Sequence, residues 1–375
     1  MQSKTLIICY HPYSYMGGAT SKIVQLLNGL DKNKFKIVYI YLKKNCKLNF
    51  DKNINVIKVN AKSTLFSFFK IKHILSIYNK KIFKKKIYIS NQNYSNILTH
   101  FLLKDLKEFK SILIERNHLD EFNYHDSFKN YLKKIVIKKL MKLNYRYAST
   151  IIGNTKKLSK DLSIFVNSKV KTIYSPTNSK KIIRLSKLYL PKDIKKNKLR
   201  IRLLSVSRFT KRKDLITLLK AFHIVSLKFP NIDLILIGYG PELNKIKNFI
   251  KDNKLSKKIF VLSPKKNPFP YFLISDLYVM PSLYEGCPNS IIESIILNIP
   301  VISSNCNTGP SEILLNGKGG FIFKKQDIFS LANKIELFMK NKLIFKKKLK
   351  IARKNIFRFE EKRIINEYEH LLNKI

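Results

Sequence analysis

The chain has 375 residues, and its 74 Lys and Arg residues against 24 Asp and Glu residues give a formal net charge of +50. This length exceeds one ordinary hydrophobic core and predicts two domains of roughly 150–200 residues each. Hydrophobic residues make up 45% of the chain, which excludes a wholly disordered protein.

The positive charge has three interpretations. Basic residues neutralise phosphates in nucleic-acid-binding proteins, and they attract anionic membrane leaflets. The third interpretation is compositional bias, because Lys, Ile and Asn are abundant together, as an AT-rich coding sequence would produce. The lysines are spread over the whole chain, and no nucleic-acid-binding motif accompanies them. We therefore favour compositional bias, with attraction to an anionic inner-membrane surface as its consequence and with no nucleic-acid partner.

The cysteines and the hydropathy of the chain indicate the cellular compartment in which the protein is expected. The four cysteines, Cys9, Cys46, Cys287 and Cys306, form no CxxC pair and no metal-binding spacing with histidine. The apolar run at 5–10 is too short for a signal peptide, and no run of about 18 apolar residues predicts a transmembrane helix. We expect a cytoplasmic protein whose membrane contact, if it has one, is peripheral on the cytoplasmic face of the inner membrane.

Short apolar runs alternate with longer helical patterns along the chain, which predicts βα units with parallel sheets. We predict strands near 4–10, 37–43, 54–59, 87–91, 111–115, 149–153, 171–174, 200–206, 233–237, 259–263, 276–280, 300–304 and 320–323. Segment 176–199, which holds Lys195-Lys196, is interpreted mainly as an interdomain connection, so the expected domains are 1–180 and 181–355. The helical pattern of 356–375 either closes the second domain or crosses back onto the first.

Two segments of the first half follow predicted strands and carry candidate site residues. Gly17 and Gly18 lie in HPYSYMGGATS, 11–21, where a strand, a glycine pair and a helix follow one another. His118 ends LIERNH, 113–118. An ordinary tight turn and a structural histidine are the competing interpretations.

In the second half, Arg208 and Lys213 lie in the loop that leaves strand 200–206, and Asp214 is a candidate N-cap of an amphipathic helix. The neighbouring Lys211 and Arg212 are interpreted as background in so basic a chain. Farther on, residues 238–241, Gly-Tyr-Gly-Pro, turn after strand 233–237. The third glycine of GxGxxG is absent, which argues against a dehydrogenase.

The most informative segment is 276–313. A strand leads into a loop with Glu285 and Gly286, and a helix that contains Glu293 follows. We predict Asn289 or Ser290 as its N-cap. The unpaired N–H groups and positive dipole end of such a helix favour a diphosphate, and carboxylates accept hydrogen bonds from vicinal hydroxyl groups.

EGCPNSIIE, 285–293, resembles the E-x7-E signature of the retaining glycosyltransferases of family 4 (glycosyl transferases group 1), and PVISSNCNTGPSEIL, 300–314, is typical of the same group. The resemblance implies the GT-B fold, an α/β architecture of two Rossmann-like domains whose parallel sheets face each other across a cleft. It is strong over 200–323 and weaker in the first half.

The resemblance also implies roles for particular residues. Glu285 would contact the donor sugar, Glu293 would bind the ribose hydroxyls, and Arg208 with Lys213 would neutralise the leaving diphosphate. His118 would face the donor sugar. The other donor-binding residues implied are Gly17, Gly18, Gly238, Gly240, Gly286, Asn289, Ser290 and Ile291. The chain departs from the family at Ser207 and Asp214, where glycine is usual.

The function implied is retaining transfer of a hexosamine or galactose unit from a nucleotide-diphosphate sugar, expected to be a UDP-sugar. The acceptor would be a lipid-linked glycan or a surface polysaccharide of capsule, O-antigen or lipooligosaccharide type. No DxD pair occurs, so no metal cofactor is expected. The alternatives are a basic nucleic-acid-binding module and a non-transferring GT-B enzyme such as a sugar-nucleotide epimerase or a phosphorylase.

Overall fold

A computed structural model describes residues 4–12, 17–42, 48–124, 127–191, 194, 199–306 and 308–375. Residues 13–16 of the predicted glycine-rich loop, Cys46, and the Lys195-Lys196 pair lie outside these ranges. The chain forms two compact units. Unit 1 comprises Met1–Thr177 and Arg358–Ile375, and unit 2 comprises Asn178–Phe357.

Thirteen strands lie in the described part of the chain: β1 (Thr5–Tyr10), β2 (Phe35–Tyr41), β3 (Asn55–Lys58), β4 (Lys86–Asn91), β5 (Phe109–Glu115), β6 (Thr150–Gly153), β7 (Val170–Thr172), β8 (Ile201–Val206), β9 (Ile232–Ile237), β10 (Ile259–Leu262), β11 (Leu277–Met280), β12 (Val301–Ser304) and β13 (Phe321–Phe323). Each coincides with a predicted strand to within two residues at either end. The apolar runs predicted them because strands covered on both faces leave few positions for polar side chains.

Each unit has one parallel sheet. Unit 1 has the strand order β3-β2-β1-β4-β5-β6-β7, and unit 2 has the order β10-β9-β8-β11-β12-β13. Every strand pairing in both sheets is parallel. The prediction of two Rossmann-like α/β domains is therefore confirmed. In each sheet the order reverses beside the first strand, at β1/β4 and at β8/β11, and ligands of such folds bind at the carboxyl ends of those strands.

The helices of the described residues are α1 (Gly18–Gly29), α2 (Phe68–Asn79), α3 (Asn93–Leu103), α4 (Phe128–Asn144), α5 (Lys156–Val166), α6 (Ser179–Ser186), α7 (Leu215–Lys228), α8 (Leu243–Asp252), α9 (Phe269–Leu273), α10 (Asn289–Ile296), α11 (Gly309–Ile313), α12 (Ile328–Lys340), α13 (Lys342–Lys354) and α14 (Glu361–Lys374). Helix α6 lies inside the segment interpreted from the sequence mainly as a connection. In the part of the chain that is described, no helix has the length and apolarity that a bilayer crossing needs.

The last helix, α14, packs in the core of unit 1. Ile364, Tyr368, Leu371 and Leu372 are buried there with Ile7 of β1 and other side chains of the sheet. Their i, i+4, i+7, i+8 spacing puts all four on one helix face. The sequence left open which domain this helix covers, and the structure assigns it to unit 1.

Candidate functional site

The candidate site of unit 2 begins with an ion pair between two loops. The loop after β8 carries Lys213, the loop after β11 carries Glu285, and the Lys213 Nζ atom donates to Glu285 Oε1. Both side chains are largely buried. The backbone N–H of Leu283 donates to the carbonyl of Arg212 over 2.8 Å and ties the same loops together. Two segments about 70 residues apart thus meet where the strand order reverses.

Two basic side chains, Lys213 and Arg212, act on the Glu285 carboxylate. Burial alone would raise the pKa of Glu285, but the charges of Lys213 and Arg212 hold that pKa below its ordinary value. Arg212 also lies over the ring of Tyr284, 5.4 Å from its centre. Basic groups held in such a poorly solvated position favour an anionic ligand. The sequence analysis counted Arg212 as background. The structure brings it to the site.

The loop after β12 hydrogen-bonds the backbone of the loop that carries Glu285. The Thr308 hydroxyl donates to the backbone carbonyl of Glu285 over 2.6 Å, and the Cys306 thiol donates to the carbonyl of Ser282 over 2.9 Å. A Cβ atom at Gly309 would lie 1.9 Å from the carbonyl oxygen of Gly286, so only glycine allows this approach. Sequence reasoning missed Thr308 and Cys306, since a hydroxyl and a thiol give no signal by themselves.

Helix α10 begins at Asn289 with Pro288 as its N-cap and with no side-chain capping bond. The prediction that Asn289 or Ser290 is the N-cap was wrong. The fixed φ of proline suits the position before the first turn. Since no side chain caps this helix, its first-turn N–H groups can bind an anion. Ile291 is buried, and Glu293 is half-buried in the next turn.

The predicted glycine turn after β9 packs against the loop after β8. A Cβ atom at Gly238 would lie 1.8 Å from the Ser207 carbonyl oxygen, and one at Gly240 would lie 2.2 Å from the Phe209 carbonyl oxygen. Both positions therefore require glycine. Arg208, between the two contacted residues, is exposed at the carboxyl end of β8. Gly238, Gly240 and Arg208 thus lie at the same sheet edge as the ion pair.

Asp214 occupies the predicted N-cap position of α7, but its side chain makes no capping hydrogen bond, and its backbone is left-handed with φ of 45°. This conformation favours glycine, and aspartate is among the few other residues that adopt it readily. The Thr217 hydroxyl donates to its carboxylate over 2.7 Å. The departure from glycine at this position is therefore compatible with the loop that carries Lys213.

In unit 1, Gly17 is the N-cap of α1 and Gly18 is its first residue, directly beyond β1. Beside them lies a buried polar network. Arg116 Nε donates to Asn91 Oδ1 over 2.6 Å, so the Asn91 amide nitrogen faces His11 Nδ1 at 2.9 Å. His11 Nε2 then donates to Thr20 Oγ1 over 3.0 Å, which ties α1 to the ends of β1, β4 and β5.

His118 lies at the start of a short 3-10 turn, and both of its ring nitrogens are engaged. Nδ1 accepts from the backbone N–H of Asp120 over 3.2 Å, and Nε2 lies 2.8 Å from Asp161 Oδ2. Its side chain is buried. His118 thus caps the 3-10 turn and links it to Asp161 of α5. These contacts involve neither Gly17 nor Gly18.

No group of three or more His, Cys, Asp or Glu residues that could hold a metal ion occurs among the described residues. The residues at the unit 2 site that bear charge are mainly basic, and they fit an anionic ligand better than a cation.

Residues 186–357 match the family described as glycosyl transferases group 1. An uncharacterized glycosyltransferase of Methanocaldococcus jannaschii is 34% identical over 242 residues, which are 62% of this chain and 58% of that protein. A poly(ribitol-phosphate) α-N-acetylglucosaminyltransferase of Staphylococcus aureus is 25% identical over 262 residues, 70% of this chain and 50% of that protein. An Escherichia coli galactosyltransferase that acts on GlcNAc-diphosphoundecaprenol is 35% identical over 106 residues, 28% of this chain and 27% of its own length.

Solved structures agree in fold. Sucrose-phosphate synthase from Thermosynechococcus elongatus superposes with a TM-score of 0.82 at 17% identity, over 99% of each chain. Anabaena HepE in complex with UDP-glucose gives a TM-score of 0.77 at 16% identity, over 99% of this chain and 100% of that one.

The fold is thus that of the GT-B glycosyltransferases, two α/β domains with parallel sheets. In the second unit, residues 186–357 carry the match to the glycosyl transferases group 1 family, to which this part of the chain is similar. The chain spans 58% and 50% of the lengths of the Methanocaldococcus and Staphylococcus relatives.

Proposed function

We propose that this protein is a retaining glycosyltransferase that moves a sugar from a nucleotide-diphosphate sugar to a cell-surface glycan. The observation that carries the proposal is the cluster of Glu285, Lys213 and Arg212 at the carboxyl ends of β8 and β11, in which the ion pair is largely buried. Lys213 and Arg208 would stabilise the charge that develops on the leaving diphosphate, and Glu285 would hold the donor sugar.

The uncapped start of α10 supplies the second half of the donor site. The backbone N–H groups of Asn289, Ser290 and Ile291 would bind the diphosphate, and Glu293 in the following turn would accept hydrogen bonds from the ribose. In this mechanism the acceptor hydroxyl attacks from the face that the diphosphate leaves. The Lys213 ammonium stays close to the leaving group throughout and needs no reorganisation at the moment of transfer.

The relatives suggest a donor and an acceptor. One of them is named for transfer of N-acetylglucosamine and another for transfer of galactose to a diphosphoundecaprenol lipid, and HepE binds UDP-glucose. We propose a UDP-linked hexosamine or galactose as donor and a lipid-linked or surface polysaccharide as acceptor, reached by peripheral contact with an anionic membrane on its cytoplasmic face.

We expect Glu285→Gln and Lys213→Ala each to lower kcat/KM for transfer by about 10²–10³-fold, since each removes a charged group from the reacting centre. The measurement is release of the nucleotide diphosphate from the sugar nucleotide that stabilises the protein most in a thermal-shift screen of UDP-, GDP-, ADP- and CMP-sugars. The exposed Lys247→Ala serves as the control for loss of a positive charge.

Circular dichroism of each variant separates loss of catalysis from loss of folding. Near-normal transfer by a folded Lys213→Ala protein would contradict the site assignment. We propose that transfer needs no metal, so activity lost in EDTA and restored by Mn²⁺ would contradict that part of the proposal.

A further inference from the structure

Helix α4 of unit 1 carries a row of exposed apolar side chains. Phe128, Leu132, Val136 and Leu143 are between 47% and 74% exposed. At 100° per residue they lie within about 80° of one another around the helix axis, so they form one outward stripe. We call these four residues the α4 stripe. Isolated exposed apolar residues are ordinary, but a stripe that runs the length of a helix indicates a binding surface.

The stripe is flanked by positive charge. Helix α4 contains six lysines and no acidic residue. Lys129, Lys133, Lys139 and Lys142 are exposed. Their angular positions put Lys139 within the stripe and the others beside it. The outward face therefore presents apolar groups and ammonium groups together.

The opposite face of α4 is anchored in the domain. Ile137 and Met141 are buried against Leu113 and Ile151 of the sheet. Lys134 donates to the backbone carbonyl of Glu121 over 2.6 Å. Because this face is fixed by core packing, the stripe is presented by a preformed surface and requires no ordering on binding.

A second exposed apolar group lies at the same edge of the unit. Leu65, Phe66 and Phe69 precede or begin α2, and each is more than two-thirds exposed. In a parallel sheet the connecting helices run opposite to the strands, so α2 and α4 both begin at the carboxyl edge. They also cover the same face of the sheet, with α3 between them.

We propose that the outward face of α4 docks unit 1 on an anionic lipid bilayer. Basic residues beside an apolar stripe match the headgroup and acyl layers of such a surface, whereas nucleic acid would use the lysines but leave the stripe exposed to water. A second copy of the chain would place lysines against lysines across a two-fold interface. This inference rests on the proposed function only in that a lipid-linked acceptor requires access to a membrane.

The chain contains no tryptophan, so a single introduced tryptophan reports its own surroundings. Phe128→Trp is the probe, and Phe329→Trp in unit 2 is the matched control, because the two phenylalanines are 74% and 72% exposed. With vesicles of phosphatidylglycerol mixed with phosphatidylcholine, we expect the fluorescence of the Phe128→Trp protein to shift to shorter wavelength and to be quenched by brominated acyl chains. The Phe329→Trp protein should show neither effect. Added salt should weaken the response.

Co-sedimentation with the same vesicles tests the stripe without a probe. We expect Leu132→Glu with Val136→Glu to lower vesicle binding at least about tenfold, since carboxylates would replace apolar groups at the lipid surface. Leu227→Glu, at a 73% exposed position of unit 2, should bind like the unaltered protein. Vesicles of phosphatidylcholine alone should bind far less than the anionic ones.

Three outcomes would overturn the proposal: no anionic-vesicle binding, equal responses of the two tryptophan variants, or unchanged binding by the α4 double variant. Self-association that the double variant abolishes, without vesicle binding, would assign the stripe to a dimer. Retained binding to duplex DNA without vesicle binding would assign the lysines to nucleic acid.

Glu285→Gln separates docking from catalysis and should bind vesicles normally. Vesicle binding without any sugar transfer would contradict the proposed function alone. Transfer to a soluble acceptor without vesicle binding would contradict docking and the proposed membrane contact, but not the proposed transfer reaction.

Discussion

His11 is fully buried at the carboxyl end of β1, between an amide and a hydroxyl. Burial and the nearby charge of Arg116 lower its pKa from 6.5 to about 3. The ring is therefore neutral near pH 7, with its proton on Nε2, and this tautomer completes the network from Arg116 through Asn91 to Thr20. A second positive charge at His11 would oppose Arg116 inside the domain.

This shift predicts a pH dependence of stability. Between pH 6.5 and about 3 the unfolded chain binds a proton at His11 that the folded protein does not, so the free energy of unfolding falls as pH is lowered through this window. We expect His11→Gln to remove one proton from the difference in proton binding between the unfolded and folded states. The slope of the unfolding free energy against pH should then fall by roughly 1.4 kcal/mol per pH unit. Urea unfolding monitored by hydrogen exchange of β1 peptides measures the effect in unit 1.

The exposed His73→Gln is the matched control and should leave the pH dependence as it is. His11→Asn repeats the test if glutamine does not fit. An unchanged slope in a folded His11 variant would show that the histidine does not resist protonation.

The loop between β12 and α11 stabilises the neighbouring loop after β11, which carries Glu285. Thr308 fixes the backbone carbonyl of Glu285, and Gly309 lets the two chains approach at Gly286. Lys213 holds the Glu285 carboxylate from the opposite side. The position of this carboxylate therefore depends on three loops, and each loop follows a different strand of one sheet.

We expect Thr308→Val to leave the Glu285 carbonyl without its buried donor and to cost about 1–3 kcal/mol of stability. Misplacement of the carboxylate should also lower kcat/KM by at least about tenfold, since catalytic groups tolerate little displacement. Chemical denaturation and the transfer assay measure the two effects.

Thr308→Ser retains the hydroxyl and should remain close to the unaltered protein in both measurements. A serine variant as impaired as the valine variant would show that the methyl group, and not the hydrogen bond, supports the loop.

Unit 1 is built from two separate parts of the chain. Residues 358–375 pack with residues 1–177, while 178–357 form the second unit. The backbone N–H of Thr177 donates to the Phe359 carbonyl over 2.9 Å, and that of Glu361 donates to the Thr177 carbonyl over 3.0 Å. The chain thus crosses between the units at two adjacent points.

Loss of the α14 contact should destabilise unit 1 selectively. We expect Leu372→Ala, at a fully buried position, to lower the stability of unit 1 by about 2–5 kcal/mol through the cavity it leaves. Hydrogen exchange of β1 peptides should accelerate, and that of β8 peptides should not. Leu343→Ala, at an exposed position of α13, is the control. Equal acceleration in both units would contradict the division.

The sequence determined the strands and indicated the family that the second unit resembles. The central strands were predictable because buried parallel strands are short continuous apolar runs between turn signals, a pattern that is local. The edge strands β3 and β7 contain no fully buried residue, but their short apolar segments between turns were also visible. The segment 285–293 indicated the resemblance to glycosyl transferases group 1 for a similar reason, since a loop and the helix after it carry the residues of the motif in one stretch. The glycine turn at 238–240 was visible in the sequence as a turn after a strand, but the reason for its glycines is tertiary, since Gly238 and Gly240 approach the backbone of Ser207 and Phe209.

Only the tertiary structure decided which side chains share an environment. Arg212, Thr308 and Cys306 reach the Glu285 loop from strands that are neighbours in the sheet but distant in the chain, and no local pattern distinguishes them from similar residues elsewhere. The sequence also misassigned the N-cap of α10, because the backbone geometry at Pro288 decides where the helix begins and a capping residue type nearby does not. The position of α14 was undetermined because an amphipathic helix specifies a buried face but not the surface that buries it.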